Sequence, residues 1–153
     1  MTRSARSSPP CLTSITNMEL PEKRSHLSRG ASSFSLWFDI EPRGQERVRF
    51  TRTGRAYTPA KTRQATQEIR DQWEAMGSPV VESEWFSVRI VAVIKLPKNQ
   101  KYPVPPRPDA DNIAKLVMDA LQGCAFENDS RCWSLSVAKR YGHKAGVSVT
   151  FNK

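Results

Sequence analysis

Residues 109–123 read DADNIAKLVMDALQG. Ile113, Leu116, Val117, Ala120 and Leu121 recur at i, i+3, i+4, i+7 and i+8, which lays one apolar stripe along a helix. Gly123 stands where a carboxy-terminal cap is expected. On a face roughly opposite the stripe, Asp111, Lys115 and Asp119 follow one another at intervals of four. Asp109 comes two residues earlier. In an extended approach to the helix, residues two apart project to the same side, so Asp109 and Asp111 aim their carboxylates at one point above the helix amino end.

Working outward, Pro97–Pro108 is a proline-rich loop, preceded by a strand over Trp85–Leu96 in which Phe86, Val88, Ile90, Ala92 and Ile94 alternate. Thr58 followed by Pro59 predicts the cap and first turn of another helix, running to Met76 and closed by Gly77. Phe34–Ile40 alternates as a strand ended by Pro42 and Gly44. Ser134–Tyr141 and Gly146–Phe151 read as two final strands joined through residues 142–145 as a hairpin. The order strand, helix, strand, helix, strand, strand predicts an α/β (α+β) class: a small mixed β-sheet packed against two helices, without internal repeat.

A chain of 153 residues is the size of one domain with a core of its own. Residues 1–33 hold eight serines, three prolines and five basic residues with no apolar period, and are expected to be a disordered Ser/Arg-rich tail, leaving 34–153 as the folded domain. The longest apolar stretch is Ile90–Ile94, far short of a membrane span, and no secretory signal is evident, so a soluble, cytoplasmic protein is expected. Cys11, Cys124 and Cys132 are odd in number without a C-x-x-C pair, which suits reduced thiols; Cys124 and Cys132 read as small buried hydrophobes.

The net charge of +9 favours a polyanionic partner. Residues 43–63 hold seven basic residues against Glu46 alone, so this segment carries two thirds of that charge. Arg47, Arg49, Arg55, Lys61, Arg107, Lys139 and Arg140 are candidate phosphate contacts, which set affinity and register without reading bases. Tyr57, Trp73 and Trp85 are candidates to stack on unpaired bases, although aromatics flanking helices and strands are more often core. Against this basic background, Asp109 and Asp111 repel each other unless a cation lies between them; a hard ion such as Mg²⁺, bound by one or two carboxylates plus phosphate oxygens, relieves that repulsion. Asp129, in the turn Glu127-Asn128-Asp129, becomes a third ligand if that turn folds back. The plainer reading makes Asp109 a helix cap and Asp111, Lys115 and Asp119 a solvated ion-pair ladder.

Four stretches in this order and spacing resemble the RusA-type Holliday junction resolvases of bacteria and their phages: Arg107-Pro108-Asp109-Ala110-Asp111-Asn112-Ile113-Ala114-Lys115, Asp119-Ala120-Leu121-Gln122-Gly123, Asn128-Asp129-Ser130 and Lys139-Arg140-Tyr141-Gly142. The likeness covers about residues 34–153 and includes the basic stretch from Arg47 to Pro59. It implies a mixed α/β homodimer that hydrolyses phosphodiesters in four-way DNA junctions with Mg²⁺, Mn²⁺ being the alternative ion, and that uses no small-molecule cofactor. Asp109, Asp111 and Asp129 fall on the family's metal-binding acids, and Lys115 on its catalytic lysine. Asn128 stands where the family often has a further acid, and Trp133 where an aliphatic residue is expected, read as a packing change. Two other functions share these features: a catalytically silent junction-binding module, and a generic metal-dependent nuclease acting on flaps or single strands.

Overall fold

The computed structural model describes residues 33–153. The expectation for residues 1–33 falls outside them, apart from Ser33, which opens strand β1. The elements are β1 Ser33–Phe38, β2 Arg49–Phe50, β3 Ala56–Tyr57, α1 Ala60–Ala75, β4 Phe86–Lys95, α2 Ala110–Leu121, a 3-10 turn Asp129–Arg131, β5 Cys132–Gly142 and β6 Gly146–Asn152. Four strands make one mixed sheet in the order β1-β6-β4-β5; β2 and β3 form a separate two-stranded ribbon.

The expected hairpin of the last two strands does not form. β4 lies between them, parallel to β5 and antiparallel to β6, and β6 also pairs antiparallel with β1. The reason lies in burial: Val147, Val149 and Phe151 are at most 1 % exposed and need a neighbour on each side, whereas β5 is half-exposed along its length and suits an edge. Residues 143–145 therefore pass across the end of β4. The crossing is tight: Leu96 N–H donates to the Gly142 carbonyl at 3.0 Å, and a Cβ on Gly142 would lie 2.5 Å from Val93 Cγ1.

A parallel pair requires a crossover, and α2 supplies it between β4 and β5. Its buried residues include the whole expected stripe, Ile113, Leu116, Val117, Ala120 and Leu121. With Ile69 and Trp73 of α1, they cover the sheet face formed by Phe86, Val88, Ile90, Val149 and Phe151. The two helices are tied directly, Arg70 Nε donating to the Ala120 carbonyl at 2.9 Å. Gly123, at φ +76°, follows α2 as expected. Helix α1 is capped differently from expectation: Pro59, not Thr58, is its N-cap and makes no side-chain cap bond. Its other end closes on Gly77 at φ +89°, with Gly77 N–H donating to the Glu74 carbonyl and Ser78 N–H to that of Trp73, the left-handed closure for which glycine is favoured.

The aromatic expectations divide. Trp73 is core, its Nε1 donating to the Pro79 carbonyl at 3.0 Å. Tyr57 and Trp85 are exposed, because the ribbon and the residue before β4 lie beyond the cover of the helices. Trp133 is 65 % exposed rather than a packing residue: the register of β5 against β4 slips there, and the extra residue is turned out of the ladder. Cys124 and Cys132 are half-buried against the core, and burial pushes the Cys132 thiol upward, with Asp129 adding to the shift. Among the described residues, no helix is long and apolar enough to cross a membrane.

Candidate active site

Asp109 is the N-cap of α2 and keeps extended backbone at φ −69°, ψ 143°. Its carbonyl accepts from Ile113 N–H at 3.1 Å, but its carboxylate makes no cap bond. Asp111 sits in the first helical turn, and both side chains are exposed. The ion-pair ladder along α2 is absent, since among the described residues none of Asp109, Asp111, Lys115 and Asp119 is ion-paired. Two carboxylates and an ammonium one turn away thus stand unengaged at a helix amino end, where the backbone dipole favours negative charge.

Surrounding segments fix this helix start. Lys139 on β5 donates to the carbonyls of Pro106 at 3.2 Å and Pro108 at 2.9 Å, which ties down the loop leading to Asp109. The Arg107–Pro108 peptide in that loop is cis. On the other side, Gln45 N–H donates to the Asn112 carbonyl at 3.0 Å, and Glu46 N–H to Thr62 Oγ1 at 3.2 Å in α1. Gly44 is needed for this approach, because a Cβ there would lie 2.9 Å from Asn112 Cβ. Between these segments opens a cleft of about 560 Å³ lined by Glu41, Arg43, Glu46, Lys61, Arg107 and Pro108.

Asp129 is placed elsewhere. It begins the 3-10 turn, which Asn128 caps by accepting from Ser130 N–H at 3.0 Å, while Arg131 pairs with Glu127 at 3.0 Å. That turn leads into Cys132, opposite Phe86 at the first pair of β4 and β5. Lys139, which holds the approach to Asp109, is seven residues further along β5, or about 23 Å. Asp109 and Asp111 therefore share one end of the β4-α2-β5 unit, and Asp129 belongs to the other. Consistently, no group of three or more Asp, Glu, His or Cys side chains converges among the described residues.

The candidate phosphate contacts also separate by position. Lys61 and Arg107 line the cleft. Arg47, Arg49 and Arg55 lie on or beside the exposed ribbon, Arg49 facing Glu46 at 3.6 Å. Lys139 is engaged internally, as described. Arg140 pairs in register with Val93, on the sheet face opposite that covered by the helices. Sequence reasoning passed over Arg43, Glu41 and Glu46 as cleft residues and Phe50 of the ribbon. Only the crowding of charge over residues 43–63 points toward this stretch, and Glu41 lies just outside it.

Residues 39–152 match the family model described as endodeoxyribonuclease RusA. No curated protein matches the chain.

Proposed function

The chain belongs to the RusA endodeoxyribonuclease family, hydrolases that resolve Holliday junctions in DNA recombination and repair, and from that premise we propose that it cuts four-way DNA junctions as a Mg²⁺-dependent homodimer. Mn²⁺ is the alternative ion. The observation that carries this reading is the pair of unengaged carboxylates at the start of α2, beside a cleft with three basic side chains. The donor set fits the ion: Asp109 and Asp111 offer hard oxygens without ion-pair partners among the described residues, and Mg²⁺ commonly takes one or two carboxylates and completes its shell with water and phosphate. When bound there, it supplies Lewis-acid polarisation of a phosphate oxygen and a more acidic water.

The chain's own groups do the rest. Arg43, Lys61 and Arg107 bind the phosphates flanking the scissile one and hold the strand across the cleft. Lys115, free of the ion pair with Asp119 that the spacing allowed, brings its ammonium to the negative charge that develops on the phosphoryl oxygens. Lys139 acts through the loop it ties down, by fixing the direction in which Asp109 points.

Asp129 enters through the dimer. β5 is an eleven-residue edge strand whose outer side is unpaired among the described residues, with exposed Trp133 and Leu135 near its start and exposed Tyr102 and Val104 on the loop near its end. Long apolar edges are pairing sites. A second copy docked antiparallel along this edge brings the partner's Asp129 to the end where Asp109 and Asp111 stand, which assembles three carboxylates from two chains.

A silent binding module has no use for bare carboxylates that repel phosphate beside its basic cleft. A nuclease of flaps or single strands would keep the same site and is separated by substrate. The test is cleavage of a four-way junction, a flap and a plain duplex, each with Mg²⁺ and with EDTA. Preferential, EDTA-sensitive cutting of the junction is the expected result; binding without cutting, or equal cutting of the flap, overturns it.

A further inference from the structure

The ribbon β2–β3 carries an exposed apolar side chain that packs against no core residue among the described ones. Phe50 is 70 % exposed and Val48 52 %, and neither strand of the ribbon buries a residue. Phe50 lies opposite Ala56, and Arg49 opposite Tyr57, so Phe50 and Arg49 project to opposite faces. The tip is closed by hydrogen bonds: Gly54 N–H donates to the Thr51 carbonyl at 2.9 Å, Thr51 N–H to the Arg55 carbonyl at 2.9 Å, and Arg55 N–H to Thr51 Oγ1 at 3.0 Å. Gly54 takes φ +80°, the turn conformation that spares a side chain strain. Phe50 is therefore held out beside a hydrogen-bonded turn.

The ribbon also starts at the site. Gln45 is bonded to Asn112, next to Asp111, and Phe50 is five residues on, so the chain can carry it no more than about 17 Å away. That is about five base-pair steps of duplex. Arg47, Arg49, Arg52 and Arg55 lie within five residues of it in the chain, Arg49 on the opposite face, with Glu46 the one acid of the segment. A two-stranded ribbon of this kind fits a DNA groove, and an apolar side chain on such a support can part stacked bases.

We propose that Phe50 is a branch-point wedge: the arginines seat the ribbon on the DNA backbone, and the phenyl ring inserts against the unstacked base at the junction crossover, opening it beside the cleft. The inference rests on the endonuclease reading and adds to it the element that tells a branch from a plain duplex. A second copy is a poorer occupant of the ribbon, because an isologous contact would bring two arginine-rich ribbons of like charge together.

The test uses the full chain and a four-way junction carrying 2-aminopurine at the crossover, bound in EDTA so that it stays uncut. Wild-type protein is expected to raise the fluorescence there and not in a duplex. Phe50→Ala should lose that rise and cut junctions in Mg²⁺ at least about tenfold more slowly, with duplex affinity and its salt dependence unchanged. Phe50→Trp should restore both. Because Phe50 buries little, the Ala variant is expected to melt like wild type. Wild-type protein that cuts junctions with no fluorescence rise overturns the wedge and leaves the endonuclease reading intact, as does a Phe50→Ala variant that cuts normally. A Phe50→Ala variant that sediments as a monomer where wild type is a dimer also overturns the wedge, making the face a protein contact. Wild-type protein that binds junctions but cuts none overturns the endonuclease reading, and the wedge with it.

Discussion

Asp111 is exposed in the first turn of α2 and unpaired with any cation among the described residues, so removing its charge should cost the fold little. Asp111→Asn is expected to abolish cleavage while junction binding is retained or tightened, since one source of repulsion toward phosphate is gone; a gel-shift titration beside a cleavage assay checks both. Arg47 sits beside the ribbon, exposed and without an ion-pair partner among the described residues. Arg47→Ala should lower the slope of log binding constant against log salt by roughly 1 with no change in cut position. Asn128 shows how a departure from family pattern settles at this scale. Its side-chain oxygen already caps the turn that carries Asp129, a role an amide fills as well as a carboxylate does.

Among elements, α2 was legible from end to end because its determinants are local: the stripe, the Gly after it and the two acids before it all lie within fifteen residues. Strand neighbours were not legible, because the alternation in β5 and β6 fits a hairpin as well as it fits two strands flanking β4. What decides between them is the burial on both sides of Val147, Val149 and Phe151, a property of residues far away in the chain. The ribbon escaped notice for a related reason: two-residue strands leave no period to read, and their charge hid an exposed phenylalanine. The site was half legible, since the spacing of Asp109 and Asp111 reports their nearness while nothing in the spacing of Asp129 reports its distance. Where β5 gives way to β6, Gly142→Ala would press a methyl into Val93 and should destabilise by about 1–3 kcal/mol, lowering Tm by several degrees in a calorimetric scan.

For the whole molecule, a junction needs two strands cut, and a shared site makes those cuts a property of the pair. If each site takes Asp109 and Asp111 from one chain and Asp129 from the other, Asp111→Asn and Asp129→Asn homodimers should both be inactive. Mixing the two variants then assembles heterodimers with one intact site, and nicking of one strand should return. Mixtures that stay inactive would mean that all three acids act within one chain.

The place of β6 has a consequence for how the protein comes into being. A ribosome makes it after β1, β4 and β5, yet among the described residues β1 has no neighbour but β6, and β4 has β6 along one whole side. A nascent chain halted before Gly146 thus possesses the acids, the cleft residues and most of the positive charge but no means of closing its core. A fragment ending at Ala145 is expected to show no cooperative melting transition by circular dichroism. Interrupted synthesis would then yield a chain fit for proteolysis, not a half-made nuclease free to occupy junctions or to pair with intact subunits.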